Sequence, residues 1–146
     1  MADQPRARAR EVLVANQAFY RAFAARDVAA MDSLWAREVL VACIHPGWNA
    51  LRGRAMVIAS WRSILGSDTS PDISCGDASV HFLGDSAFVI CEEQVADDVL
   101  VATNVFVLES GVWKLAHHHA APIARESFQM LPAEGSPEAD DSSTLN

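Results

Sequence analysis

The chain has 146 residues, of which 51% are hydrophobic and 21% charged, a balance typical of one globular domain with its own core. Its formal net charge of −8 makes nucleic acid an unsuitable partner, and no apolar run approaches the roughly 18 residues that a membrane span needs. The three cysteines, Cys43, Cys75 and Cys91, form no CxxC pair, so we expect reduced, structural thiols and no disulfide scaffold or zinc knuckle.

Helical spacing of apolar residues predicts three helices in the first half of the chain. The first covers residues 8–25, with its polar side chains on other faces. Asp27 is a candidate N-cap for a short second helix over residues 28–35. The third covers residues 54–65, and Gly66 is placed to end it.

Strand-like sequences surround and follow the third helix. Residues 39–45 are apolar and β-branched, and Pro46-Gly47 is a turn signal that ends this first strand. Four longer runs follow, at residues 73–83, 87–95, 99–108 and 112–121, separated by turns of hairpin length. Helices first and strands afterwards predict an α+β fold, with the helices on one face of an antiparallel sheet.

The domain is predicted to occupy residues 1–131. Residues 132–146 are rich in Ser, Asp, Glu and Pro with few large apolar side chains, which predicts a disordered acidic tail. The N-terminal pattern is amphipathic and lacks the unbroken apolar core of a secretory signal, so a cytoplasmic location is expected.

The order of elements, together with the run from Ile44 to Trp48, the Ser60-Trp61 pair and the segments at residues 102–106 and 113–119, resembles the SnoaL-like branch of the NTF2-like superfamily. The resemblance covers most of residues 8–124. It implies a cone in which a strongly curved antiparallel sheet wraps around three helices and encloses a pocket beside the first helix. It also implies a homodimer that pairs through the outer face of the sheet. Members include ketosteroid isomerases, polyketide cyclases, dehydratases and proteins without chemistry, so the function has to be argued from the site.

The resemblance to ketosteroid isomerases implies two catalytic positions. Their general base is an Asp directly before a Pro, and His45 before Pro46 stands there; a neutral imidazole accepts a proton near pH 7. Their oxyanion donor lies on the penultimate strand, and Asn104 stands there. Strand parity places Asn104 and Phe106 on the covered face, where an amide can donate a hydrogen bond to a developing enolate or serve as a structural link.

The isomerases also use a tyrosine on the first helix, which this sequence does not reproduce. Phe19 occupies the corresponding position, and Tyr20 lies one residue on. We expect Tyr20 at the rim of the pocket, beside Asn16 one turn earlier.

The last strand carries three consecutive histidines, and side-chain alternation assigns them to different faces. Trp113, Leu115, His117 and His119 share one face, while Lys114, Ala116 and His118 share the other. Because a lysine belongs on the solvent side, His117 and His119 are predicted to point inward as ligand-binding residues, with His118 turned away. An alternative is that His117 and His119 converge with His45 on a zinc or iron ion, but no metal and no cofactor is predicted.

Two further features bear on the pocket. Trp61 and Phe106 are among the large aromatic residues that we expect to line the interior. Trp48 lies in a loop, so we expect its ring to cover the mouth of the pocket. Glu92 and Glu93 point to opposite faces of their strand, and alternation does not decide which of them enters the pocket.

The sequence therefore predicts a protein that binds a small apolar or aromatic molecule. His45 and Asn104 are the candidate catalytic residues for isomerase, cyclase or dehydratase chemistry by proton transfer. Non-catalytic ligand binding as an accessory module, and a histidine metal site, are the alternatives.

Overall fold

The computed structural model of the chain describes residues 4–124, so the predicted acidic tail lies outside the described residues. The elements in chain order are α1 (Gln4–Ala25), α2 (Val28–Leu34), β1 (Ala42–Ile44), β2 (Leu51–Arg52), α3 (Arg54–Leu65), β3 (Ile73–Leu83), β4 (Ser86–Val95), β5 (Asp98–Glu109) and β6 (Val112–Pro122). The strands form one sheet in the order β2-β1-β6-β5-β4-β3. Neighbouring strands are antiparallel except β1, which runs parallel to β6. The three helices and curved sheet confirm the predicted α+β NTF2-like cone.

Local signals account for the helix ends. The Asp27 carboxylate accepts a hydrogen bond from the Ala30 amide at 3.0 Å, which confirms the predicted N-cap of α2. At the start of α3, Arg54 donates to the Trp35 and Asp32 carbonyls, each at 2.8 Å, and pairs with the Asp32 carboxylate. These bonds tie α2 to α3. None of the helices within residues 4–124 is both long and apolar enough to cross a bilayer.

The core lies between the helices and the concave face of the sheet. Phe19 of α1, Trp61 of α3 and Phe106 of β5 are each no more than 2% exposed. The rings of Phe19 and Trp61 meet edge to face with centroids 5.5 Å apart. Helix α1 is therefore held against the inside of the cone, and its inward side chains meet those of β4, β5 and β6.

A β-bulge in β6 overturns the predicted orientation of the three histidines. Val105 pairs with His117 but Phe106 pairs with Leu115, so Ala116 is an extra residue without a partner on β5. Trp113 and Leu115 point inward as predicted. Because the bulge shifts the alternation by one residue, His118 points inward and is 2% exposed, whereas His117 is half-buried and His119 is exposed on the other face. The inward assignment of His117 and His119 was wrong.

A second bulge lies in β3, between the pairs Gly76–Glu92 and Ser79–Ile90. Opposite it, β4 keeps a regular alternation in which Val89, Cys91 and Glu93 are buried and Glu92 is not. Alternation in the sequence does not decide between Glu92 and Glu93. In the structure it is Glu93 that points into the interior, where it is 2% exposed.

Candidate functional site

Five polar side chains meet inside the cone, and we call them the interior polar cluster. They come from α1, β4, β5 and β6, and each is at most 5% exposed; its members are Asn16, Tyr20, Glu93, Asn104 and His118. Long-range packing assembles them, since residues 16 and 104 are separated by 88 positions in sequence. A polar side chain removed from water costs free energy unless it is hydrogen-bonded, so their partners decide what the cluster can do.

Asn104 is the centre of the cluster. Its amide nitrogen donates to Asn16 Oδ1 at 2.8 Å and to the Tyr20 hydroxyl oxygen at 3.1 Å. Its amide oxygen lies 2.6 Å from His118 Nδ1. Because that oxygen can only accept, Nδ1 of His118 carries the proton and Nε2 keeps its lone pair. One asparagine on β5 therefore orients side chains from α1 and β6.

Tyr20 links the amides to a buried carboxyl group. Its hydroxyl donates to Glu93 Oε2 at 2.6 Å and lies 3.3 Å from Cys91 Sγ. The second nitrogen of His118, Nε2, is 3.9 Å from the same Glu93 oxygen, beyond direct hydrogen-bonding distance. The Glu93 carboxyl group thus faces the Nε2 lone pair of His118, which accepts no hydrogen bond from Glu93 at this distance.

Burial shifts the pKa values of Glu93 and His118. It raises the pKa of Glu93 above its usual value, although the Tyr20 hydrogen bond acts in the opposite direction. Burial also lowers the pKa of His118 to about 3, helped by the neighbouring histidines, and raises the pKa of Tyr20 far above its ordinary value. The 3.9 Å contact between His118 and Glu93 is therefore not a full salt bridge, because burial disfavours the charged form of both groups.

Aromatic rings border the cluster. The Phe19 ring lies 4.8 Å from that of Tyr20 and 4.9 Å from that of His118, and Trp61 lies 6.0 Å from His118, all between centroids. The indole nitrogen of Trp61 is buried and has no hydrogen-bond partner among residues 4–124. A polar centre with apolar walls and a spare N–H donor suits an apolar molecule with an oxygen function.

His45 forms a separate arrangement at the end of β1. It is 3% exposed, and its Nε2 lies 2.9 Å from the Ser60 hydroxyl, which itself donates to the Val57 carbonyl at 2.7 Å. Its ring is sandwiched edgewise by Trp48 and Trp61, each with centroids 4.8 Å away. Burial lowers its pKa to about 4, so the imidazole is neutral at pH 7.

The predicted site residues are thus only partly brought together. Asn16, Tyr20 and Asn104 are in direct contact, with Phe106 buried beside Asn104 on the same strand face. Trp61 stands between His45 and His118. Trp48 is 48% exposed and packs against the His45 ring.

The outward histidines do not join this site. His117 Nδ1 bonds the Ala42 carbonyl at 2.9 Å, and its ring centroid is 6.3 Å from that of His119. No group of three or more His, Cys, Asp or Glu side chains is arranged to hold a metal ion within the described part of the chain. A surface groove of about 310 Å³ between α1 and α2, lined in part by Ala18 and Leu34, includes none of the predicted site residues.

Sequence reasoning missed two of the five cluster members. His118 was assigned to the wrong face because the bulge at Ala116 has no Gly or Pro to mark it. Alternation does not separate Glu93 from Glu92, because Phe88 and Ile90 on the Glu92 face are as apolar as Val89 and Cys91 on the Glu93 face. Tyr20 lies deeper than the predicted rim position, because both Phe19 and Tyr20 face the interior.

The chain is similar in sequence and structure to several known proteins. A solved structure of a candidate dehydratase of the NTF2-like family from Streptomyces avermitilis is 34% identical, with a TM-score of 0.76, covering 83% of this chain and 99% of that one. A candidate calcium/calmodulin-dependent protein kinase type II association domain from Thiobacillus denitrificans is also 34% identical, with a TM-score of 0.67, covering 75% and 93%.

Among curated proteins, the F-box protein SKIP8 of Arabidopsis thaliana is 27% identical over 124 residues, which are 84% of this chain. The chain spans about half the length of that relative, 54%. The family model described as a SnoaL-like domain matches residues 12–125, which include every member of the interior polar cluster. The chain therefore belongs to the SnoaL-like family of NTF2-like proteins.

Proposed function

We propose that this protein binds a small, largely apolar molecule that bears a carbonyl or hydroxyl group, inside the cone between α1 and the sheet. The observation that carries the proposal is the interior polar cluster itself. Five buried polar side chains, one of them a carboxyl group with no Lys or Arg among its hydrogen-bond partners, stand against aromatic walls. Apolar residues of similar volume would fill a purely structural core at lower desolvation cost, so such a cluster marks a functional site.

The donors and acceptors suit an oxygen function on the ligand. The Tyr20 O–H donates to Glu93, and the two N–H groups of Asn104 donate to Asn16 and Tyr20, so the unpartnered Trp61 N–H is the donor left for a ligand carbonyl. Glu93 and the free Nε2 of His118 can exchange a proton with a ligand hydroxyl or activated carbon, which is what isomerase, cyclase or dehydratase chemistry requires. The similarity to a candidate dehydratase supports this class of chemistry.

Binding can be tested by thermal-shift titration with steroids, aromatic polyketides and small aromatic ketones. A compound that occupies the cone should raise the melting temperature in proportion to its concentration. In Tyr20→Phe the affinity should fall by about tenfold, equal to about 1.4 kcal/mol, because the hydroxyl that holds Glu93 and Asn104 in place is lost. Glu92→Gln, on the opposite face of β4, is the matched control and should bind like the wild type.

The same compounds can be incubated in deuterium oxide to detect proton transfer. Wild-type protein should exchange a carbon-bound hydrogen of the bound compound, and Glu93→Gln should bind it without exchange. A panel that leaves the melting temperature unchanged, or shifts that are equal in wild type and Tyr20→Phe, would contradict the proposed site.

A second proposal concerns self-association through the outer sheet face. That face carries cross-strand rows of side chains that are not buried and that combine apolar residues with threonine and histidine, among them Phe88–Val105–His117 and Ile90–Thr103–His119. Ile90 and Val101 are 38% and 39% exposed. The similarity to a candidate kinase association domain supports pairing of copies. Light scattering should give the mass of two chains for the wild type and of one for Ile90→Lys; a wild-type monomer would refute pairing.

A further inference from the structure

We propose that His117 and His119 form a two-imidazole site for a divalent transition-metal ion on the outer face of the sheet. The bulge at Ala116 places both side chains on that face, away from the interior polar cluster. Their ring centroids lie 6.3 Å apart, with the ring planes at 69° to each other. Imidazole nitrogen is a preferred ligand of zinc, copper and nickel, so two neighbouring rings on one strand suit an ion of this class.

The hydrogen bond of His117 prepares its ring for a metal ion. Its Nδ1 lies 2.9 Å from the carbonyl oxygen of Ala42 on β1. Because a carbonyl oxygen can only accept, Nδ1 carries the proton and Nε2 keeps its lone pair. Metal-binding histidines are commonly oriented in this way, since the bond from the second ring nitrogen fixes both the ring and its tautomer. His117 therefore has Nε2 free to act as a ligand.

The separation of the two rings is compatible with one shared ion. An ion about 2.1 Å from each Nε2 holds the two ring centroids roughly 5 to 6 Å apart, slightly less than the 6.3 Å between these rings. His119 is exposed, and exposed side chains change rotamer within nanoseconds, so a small rotation brings its ring into place. Water molecules take the remaining positions around the ion.

The neighbours of the pair leave the site uncharged. In strand register the two histidines lie between β5 and β1, where their direct neighbours are Val105, Thr103, Ala42 and Ile44. None of these side chains repels a cation. The basic residue that follows Ala42 in the same row is Arg52, two strands from His117 or roughly 10 Å away, where solvent ions screen much of its charge.

This site differs from the three-histidine centre considered from the sequence. His45 is 3% exposed and contacts Ser60 and Trp61 in the interior, so it does not reach two rings on the outer face. Within residues 4–124 no third His, Cys, Asp or Glu side chain is arranged to complete a metal site with the pair. The outer site therefore has two protein ligands per chain, and losing either one should be readily measurable.

Isothermal titration of the untagged full chain with zinc chloride, after dialysis against a chelator, tests the proposal. We expect one ion per chain, or one per two chains where copies pair through this face and a second pair of histidines replaces the water. His117→Gln and His119→Gln should each weaken zinc binding by more than about tenfold, because each removes one of two protein ligands. His81→Gln, which replaces an exposed histidine of β3, is the matched control and should bind zinc like the wild type.

Copper gives a direct readout of the coordinating atoms. Pulsed electron paramagnetic resonance of the Cu²⁺ complex should show coupling to two imidazole rings in the wild type and to one in either variant. Magnesium chloride is the control for binding by carboxylates, because Mg²⁺ prefers oxygen ligands. It should give no heat comparable to that of zinc.

Several results would overturn the proposal. They are an absence of zinc binding, equal zinc affinity in the wild type and both variants, an equal loss in His81→Gln, and copper spectra without imidazole coupling. Magnesium binding as tight as zinc binding would assign the ion to carboxylates instead. The readouts use metal ions alone and side chains outside the cone, so they are independent of whether the cone binds a ligand.

Discussion

Asn104→Leu is expected to lower the free energy of unfolding by about 3 kcal/mol. Leucine has a similar volume but leaves the Asn16 amide oxygen and the His118 Nδ1–H without the partners they have at 2.8 and 2.6 Å. Both groups are buried, so water cannot replace the lost bonds without opening the core. Urea denaturation with an unchanged m-value would measure the loss.

Thr103→Val is the matched control for this variant. Thr103 is the neighbouring residue on β5, lies on the opposite face and is only half-buried, so its replacement should change stability by less than about 0.5 kcal/mol. If Asn104→Leu were as stable as Thr103→Val, the amide would not be the centre of a hydrogen-bonded cluster.

Acid is expected to destabilise the fold through its two buried histidines. The folded-state pKa values are about 3 for His118 and about 4 for His45, both below the ordinary value of 6.5. At pH values between 6.5 and the folded-state pKa, each of these histidines binds more protons in the unfolded chain than in the folded one. The free energy of unfolding therefore falls as the pH falls below about 6.5. His118 alone should account for about 2 kcal/mol between pH 7 and pH 4.5. Glu93 opposes this loss, because its raised pKa favours the folded state as protons are taken up.

The comparison of His118→Gln with His119→Gln isolates this effect. Glutamine at position 118 retains an N–H donor for Asn104 but does not titrate, so the pH dependence of the unfolding free energy should flatten. His119 is exposed, and its variant should keep the wild-type slope. Equal slopes in the two variants would contradict the inward position of His118 and the bulge at Ala116 that causes it.

Local signals predicted the fold well because they act over a few residues. The Asp27 cap and Gly66 mark helix ends through nearby backbone bonds, and α3 occupies Arg54–Leu65 as predicted. Helix α1 already includes Gln4, four residues before the predicted start at residue 8. The two-residue strand β2 exists only through its pairing with β1 and escapes any periodicity argument.

The site was less predictable because its geometry depends on strand pairing. Asn104 was placed correctly, since β5 alternates without interruption beside Phe106. His118 was not, because the extra residue at Ala116 is visible only in the pairing of β6 with β5, where His117 and Leu115 face neighbouring residues. Glu93 could be separated from Glu92 only once β4 had a core on one side. These two residues supply the acid and base of the cluster.

The most direct test of ligand binding inside the cone is a crystal structure of the protein with the compound that raises its melting temperature most. We expect the oxygen function of that compound within hydrogen-bonding distance of Tyr20, Asn104, Glu93 or His118, and its apolar body against Phe19 and Trp61. Electron density for the compound on the outer face beside His117 and His119, or in the groove between α1 and α2 with the interior polar cluster unchanged, would contradict the account.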